Sequence, residues 1–181
     1  MFEAEIKFLA DPGFTPPGEQ LPHALYHDVY FDTPSEDLTH SGRELRLRRT
    51  GDTAVLTAKA RPFDRATNSK EEFETAVADA AATTALLAAL GYVVRVAYAK
   101  HCRRFHDTAA GLALDITVVT VDFDCRTFVE IEHPAATQAA ALAALPAIRA
   151  YAAGLGLVEA CATAYTDLAL AALAPQPSTA A

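Results

Sequence analysis

The chain has 181 residues, of which 51% are hydrophobic and 21% charged, and its formal net charge is −8. That size and balance describe a globular protein with room for one core and exclude a disordered chain. The acidic excess excludes a general nucleic-acid binder, which needs surplus Lys and Arg. No apolar run approaches the length of a bilayer span, and Met1-Phe2-Glu3 lacks signal-peptide organisation, so a cytoplasmic protein with no membrane partner is expected. The three cysteines (Cys102, Cys125 and Cys161) form no CxxC and read as reduced thiols.

In chain order, strand patterns run over Phe2–Leu9, His27–Asp32, Glu44–Arg49, Thr53–Lys59, Glu71–Val77, Val93–His106, Leu112–Val121 and Thr127–Glu132. Most are rich in Val, Ile, Thr, Phe or Tyr and are bounded by turn-forming residues. Gly51-Asp52 reads as a hairpin turn. Helical patterns cover Ala78–Leu90, stopped by Gly91, then Ala135–Ala153, where Pro146 starts a second helix or kinks the first, and finally Val158–Leu173. No repeat or composition break divides the chain. One α+β domain over residues 1–174 is expected, with a disordered tail at 175–181.

Side chains alternate between the two faces of a strand, so each strand can be sorted. Glu3, Glu5 and Lys7 share one face of the first strand, opposite Phe2, Ala4, Ile6 and Phe8. Arg46 and Arg48 share a face, as do Glu72 with Glu74, Lys100 with Cys102 and Arg104, and Glu130 with Glu132. Lys59 aligns with Val55 and Thr57, and Asp115 stands between apolar neighbours. Like charges two residues apart lie about 7 Å from each other on one face. They repel unless opposite charge lies between them. A solvated one-sided sheet is the ordinary explanation for a polar strand face. Here, however, carboxylates pair on three strands, and seven acids (Glu3, Glu5, Glu72, Glu74, Asp115, Glu130, Glu132) balance six bases (Lys7, Arg46, Arg48, Lys59, Lys100, Arg104).

Such strands suit a sheet curled into a barrel, with Ala/Leu-rich helices covering the apolar outside and the charged faces turned inward. Paired carboxylates suit Mg²⁺ or another hard cation, and Lys and Arg suit phosphate oxygens. A polyphosphate carrying a metal fits both sets at once. GxxxxGK[ST] is absent, so side chains and not a helix N-terminus would hold the phosphate. The six histidines form no HExxH, and the one HxxxH spacing, His23 to His27, lies outside the helical patterns, so it offers no paired metal ligands on a helix face. Cys102 has no base at a suitable spacing to make it a nucleophile. Covering the barrel is the expected task of the Ala-rich final helices, with contact in a homodimer as the alternative.

The quoted residues resemble a known family. Glu3-Ala4-Glu5-Ile6-Lys7 is similar to the ExExK signature of CYTH domains, the superfamily of class IV adenylate cyclases, thiamine triphosphatases and inorganic triphosphatases. YFDTPSEDLTHSGRELRLRR (Tyr30–Arg49), LTAK ending at Lys59, KEEFE (Lys70–Glu74), the basic strand at Lys100, Asp115, FVEIE (Phe128–Glu132) and AYTDL (Ala164–Leu168) follow in the family's order. The resemblance implies an eight-stranded antiparallel tunnel, a closed barrel holding a small-molecule triphosphate with Mg²⁺ or Mn²⁺. Glu3, Glu5, Lys7 and Lys59 are then the catalytic set. Phosphate is held by Lys7, Arg46, Arg48, Lys59, Lys70, Lys100 and Arg104, and metal by Glu3, Glu5, Glu72, Glu74, Asp115, Glu130 and Glu132. Two positions depart from the family pattern. Lys70 stands where Arg is frequent. Cys102 stands where Arg is common, and its place falls to Arg104 on the same face, or to Arg103 if a bulge shifts the register. Three activities remain open at this point: triphosphate hydrolysis, cyclisation of ATP to cyclic AMP and pyrophosphate, and binding of polyphosphate or nucleotide without turnover.

Overall fold

The computed structural model describes residues 1–174, and the expected tail lies outside them. The strands are β1 (Phe2–Ala10), β2 (Glu19–Gln20), β3 (Ala24–Asp32), β4 (Glu44–Thr50), β5 (Thr53–Lys59), β6 (Glu72–Val77), β7 (Val93–Ala109), β8 (Leu112–Val121) and β9 (Asp124–Ala135). Four helices accompany them: α1 (Asp37–His40), α2 (Ala80–Ala89), α3 (Gln138–Gly154) and α4 (Tyr165–Leu173). All pairings are antiparallel, in the order β1-β9-β8-β7-β3-β4-β5-β6, with β2 added to the far end of β7.

The eight expected strands are present, several of them longer than the sequence pattern suggests. β2 and α1 carry no hydrophobic period and were not expected. Gly51 and Asp52 form the β4–β5 turn, and Gly91 ends α2 with a φ of 91°, a conformation that glycine adopts at no steric cost. Pro146 lies inside α3, which continues through it as one helix, so no second helix starts there. The segment Val158–Ala164 is not helical, because its groups hydrogen-bond along β1 instead. Among the described residues, no helix is long and apolar enough to cross a membrane.

The sheet curls so that its two faces do different work. Outward-facing Ala4, Ile6, Phe8, Leu114, Ile116, Val118, Val129 and Ile131 pack against Ala141, Ala144, Leu145, Ile148 and Ala152 of α3. On the other flank α2 places Leu87 over Phe31 and Leu47. These buried apolar surfaces are what hold the sheet in its curve.

The expected closed barrel is not a continuous ladder. β1 and the lead-in to β6 meet at a single bridge, Phe2 with Glu71. Glu3 N–H donates to the Lys70 carbonyl at 3.0 Å, and Glu72 N–H donates to that of Met1 at 2.8 Å. Ser69 Oγ hydrogen-bonds both backbone groups of Glu5. Beyond that point the free edge of β1 is taken by the chain following α3. Leu9 N–H donates to the Glu159 carbonyl, and Cys161 N–H donates to that of Lys7. This crossing carries α4 onto the inner face of the sheet. The expectation that every helix covers the outside is therefore corrected. Tyr165 and Ala169 of α4 are buried with Tyr30, Tyr98, Cys102, Val119, Val121 and Phe128, all on inward-facing positions, and they form an aromatic wall across the interior.

Candidate functional site

Beside that wall lies a small charged cavity of about 80 Å³. It is lined by Lys7, Arg46, Arg48, Lys59 and Lys100 together with Glu5, Glu44, Glu130 and Glu132. The period-2 pattern explains the convergence, because every one of these side chains projects from the same face of the curled sheet. Lys7 pairs in register with Glu130, and Glu5 with Glu132. Arg46 lies opposite Thr57, and Glu44 opposite Lys59.

Each cation is held by a named group. The Arg48 fork donates twice to Asp28, at 2.7 Å for each bond. Asp28 is 1% exposed, and burial alone would raise its pKa, but the Arg48 hydrogen bonds bring it below the usual carboxylate range. Arg46 donates to Thr57 Oγ1 at 3.1 Å, with Glu74 3.4 Å away. Lys59 forms an ion pair with Glu72. Burial opposes ionisation of Glu72, yet Lys59 brings its pKa down to about 2. Lys100 donates to both oxygens of Glu130, at 3.0 and 3.2 Å. Lys7 differs from these. It donates to the Thr163 carbonyl and has no carboxylate within ion-pair distance among the described residues. Burial lowers its pKa, against the opposing pull of Glu130.

The carboxylates divide into two groups. Glu130 and Glu72 are kept ionised by their lysines, although burial acts the other way. Glu3, Glu5 and Glu132 are pushed upward, first by burial and then by neighbouring carboxylates. Glu3 is raised to about 8 and donates a hydrogen bond to Glu72 when protonated. Glu132 is raised well above its normal value by burial and by Glu5, Glu3 and Glu130. Glu3 and Glu72 lie outside the cavity lining, whereas carboxylates that do open to it form an oxygen-only donor set that suits a hard divalent cation. Glu5, Glu130 and Glu132 line the cavity and are the residues able to hold such an ion. Among the described residues no three His, Cys, Asp or Glu side chains already form a ligand shell. The fit is to an ion that keeps waters and takes ligand oxygens.

Several expected site residues stand elsewhere. Lys70 does not line the cavity and forms an ion pair with Glu44. Glu74 is half-exposed at the edge and accepts from Thr57 Oγ1 at 2.7 Å. Asp115 lines a second, adjoining space of about 140 Å³ with Arg104, Thr117 and Tyr26, and contacts His106 at 3.1 Å. Arg48, Glu130 and Glu132 border both spaces. Cys102 faces the aromatic wall, and burial raises its thiol to about 12, so it stays protonated. Arg103 turns outward to Phe14 and Thr15, leaving Arg104 as the basic residue after Lys100 on the inner face.

Three contributors escaped the sequence reading: Asp28, Glu44 and Tyr165. The first two are lone acids on strands read mainly for other residues. Tyr165 comes from a helix assigned to the outside. Tyr30 lines the cavity, whereas Asp32 serves the end of its strand. The Asp32 carboxylate accepts from the backbone N–H groups of Thr33, Leu38 and Thr39 and so fixes α1.

Comparison with known families gives the same assignment. The CYTH domain model matches residues 1–159. The chain belongs to the CYTH domain family. Its fold is shared by the PH1819 protein of Pyrococcus horikoshii OT3, at 21% identity and a TM-score of 0.81, covering 93% of this chain and 98% of that one. A candidate adenylate cyclase from Vibrio parahaemolyticus is similar at 19% identity and a TM-score of 0.76, covering 92% and 97%. The Hippeastrum protein HpAC1, a candidate adenylyl cyclase with a dominant triphosphatase activity, is similar at 20% identity and a TM-score of 0.66, covering 94% and 96%. No curated protein matches the sequence.

Proposed function

We propose that this CYTH domain is a divalent-metal-dependent triphosphatase acting on a small-molecule triphosphate. The observation that carries the reading is the gathering of Lys7, Arg46, Arg48, Lys59 and Lys100 from four strands around one cavity shared with Glu5, Glu130 and Glu132. A chain of linked phosphates satisfies all five cations through charge-assisted hydrogen bonds, and Arg48 is oriented for that task by Asp28. Bound Mg²⁺ or Mn²⁺ would neutralise phosphate charge and help orient water, with Glu5, Glu130 and Glu132 as its protein ligands.

In the reaction a water oxygen forms a bond to the terminal phosphorus and the anhydride P–O bond breaks. Orthophosphate and a diphosphate leave. The attacking water's protons leave with the phosphate products, so the step needs no metal-bound carboxylate as base. Lys7, Arg46, Arg48, Lys59 and Lys100 stabilise the charge spread over the phosphoryl oxygens in the transition state. The dominant triphosphatase activity of HpAC1 supports hydrolysis over cyclisation.

The test is incubation with tripolyphosphate, thiamine triphosphate and ATP, each with Mg²⁺ or Mn²⁺, while orthophosphate, pyrophosphate and cyclic AMP are measured. Metal-dependent orthophosphate release is expected. Cyclic AMP with pyrophosphate as the main products of ATP would make the chain a cyclase. No product from any substrate, with binding retained, would make it a binding module.

A further inference from the structure

We propose that Tyr165 is a positioning residue that holds the ammonium groups of Lys7 and Lys100 together on the phosphate-binding wall. The inference rests on the triphosphate reading and assigns to α4 a role within that site. Lys7 Nζ lies 4.0 Å from the centre of the Tyr165 ring, and Lys100 Nζ lies 4.4 Å from it. Both distances are well inside the range in which a cation is attracted to an aromatic face. Lys7 is also 5.5 Å from the Phe128 ring, which meets Tyr165 edge-on with centroids 5.2 Å apart.

Two buried ammonium groups near one another repel, and the remaining contacts do not offset this evenly. Lys100 has Glu130, at 3.0 Å, whereas among the described residues Lys7 has the Thr163 carbonyl and the aromatic rings but no carboxylate at ion-pair distance. The electron-rich ring attracts both ions and draws them to the same side of the cavity. There they present N–H donors to one phosphate group. The ring itself is fixed by Tyr98 and Phe128 on the sheet, so its position does not depend on α4 alone. Tyr165 touches the lysines and acts through them, and because its hydroxyl has no hydrogen-bond partner among the described residues, the ring is the active feature.

Three variants separate this role from plain packing. Y165F keeps the ring and Y165L removes it. L168A trims the same aromatic cluster from α4 and leaves both lysine–ring contacts in place. For tripolyphosphate hydrolysis, Y165L should raise KM about tenfold or more with kcat changed far less, as expected for the loss of two desolvated cation–π contacts. Y165F should match the wild type, and L168A should lower the melting temperature with KM unchanged. An unchanged KM in Y165L, or equal damage in Y165F and Y165L, would overturn the proposal.

A second readout does not depend on turnover. In spectra of protein carrying ¹³C-labelled lysine, two Cε signals should be displaced by the ring current in the wild type and in Y165F, and each should vanish in K7M or K100M respectively. Absence of both displaced signals from the wild type would overturn the geometry even if Y165L fails to fold. Displaced signals in a protein that neither binds nor hydrolyses tripolyphosphate would leave Tyr165 in place and reject the triphosphate reading alone.

Discussion

Glu5 and Glu132 face each other as register partners across the β1–β9 ladder, and both open into the same cavity. Each is driven upward in pKa by burial, and Glu5 adds its charge to the repulsion felt by Glu132. Like charges directly opposite one another destabilise a sheet. Their placement opposite each other fits the proposed site, in which a bound cation would supply the compensating charge.

The pH dependence of stability follows from that pair and from Glu3. A carboxyl whose folded pKa is raised binds its proton more tightly in the native state, so stability falls as pH rises from the unfolded value towards the folded one. For Glu3 that window runs from about 4.5 to about 8. The metal-free protein should therefore melt at lower temperature near pH 8 than near pH 6. Mg²⁺ or Mn²⁺ should restore the loss, with a larger effect at the higher pH. Melting curves across this range, with and without EDTA, check it.

Substitution of either partner should separate stability from activity. Glu5→Gln or Glu132→Gln removes a repelling charge, so the metal-free protein near pH 8 should melt higher than the wild type. Metal-dependent turnover should fall by more than about 100-fold, because loss of a ligand costs more than loss of a group supporting one. Thermal melts and phosphate release on the same preparations check both halves.

Lys59→Met should harm stability in the opposite pH direction. Glu72, held at about 2 by Lys59, contributes stability that is present above its unfolded pKa and lost as pH falls through 2. Without Lys59 the carboxylate stays buried and unpaired. Breaking such a pair costs about 3–5 kcal/mol, and it should be read near pH 7 by denaturant unfolding. Tripolyphosphate binding should weaken in the same variant.

Asp28→Ala leaves Arg48 without the carboxylate that orients its fork. A loss of about 3 kcal/mol in stability is expected, the low end for a broken buried pair because Arg48 reaches the cavity. Asp28→Glu should recover less than half of the phosphate affinity, since the longer arm displaces the bidentate geometry. Unfolding curves and tripolyphosphate titrations of both variants check this.

The charged interior was legible in the sequence because strand alternation is short-range. Glu3-Ala4-Glu5-Ile6-Lys7 and Glu130-Ile131-Glu132 assign their own faces without knowledge of their partners. What stood opposite them was not legible. The pairing of Asp28 with Arg48 depends on the β3–β4 register, and that of Lys70 with Glu44 brings together residues 26 positions apart. The inward path of α4 was hidden for a different reason. An Ala/Leu-rich helix looks the same to the sequence whether it covers a sheet or enters it. The outcome turned on the segment after α3 taking the free edge of β1.

A calorimetric titration of tripolyphosphate into the protein with Mg²⁺ and after treatment with EDTA, repeated for Arg46→Gln and Glu132→Gln, reads the proposed joint binding directly. Joint binding of phosphate and metal in the charged interior predicts tight association with Mg²⁺. It also predicts a loss of about tenfold or more in Arg46→Gln, and loss of the metal effect in Glu132→Gln. Equal affinity in all three proteins, indifferent to EDTA, would contradict it.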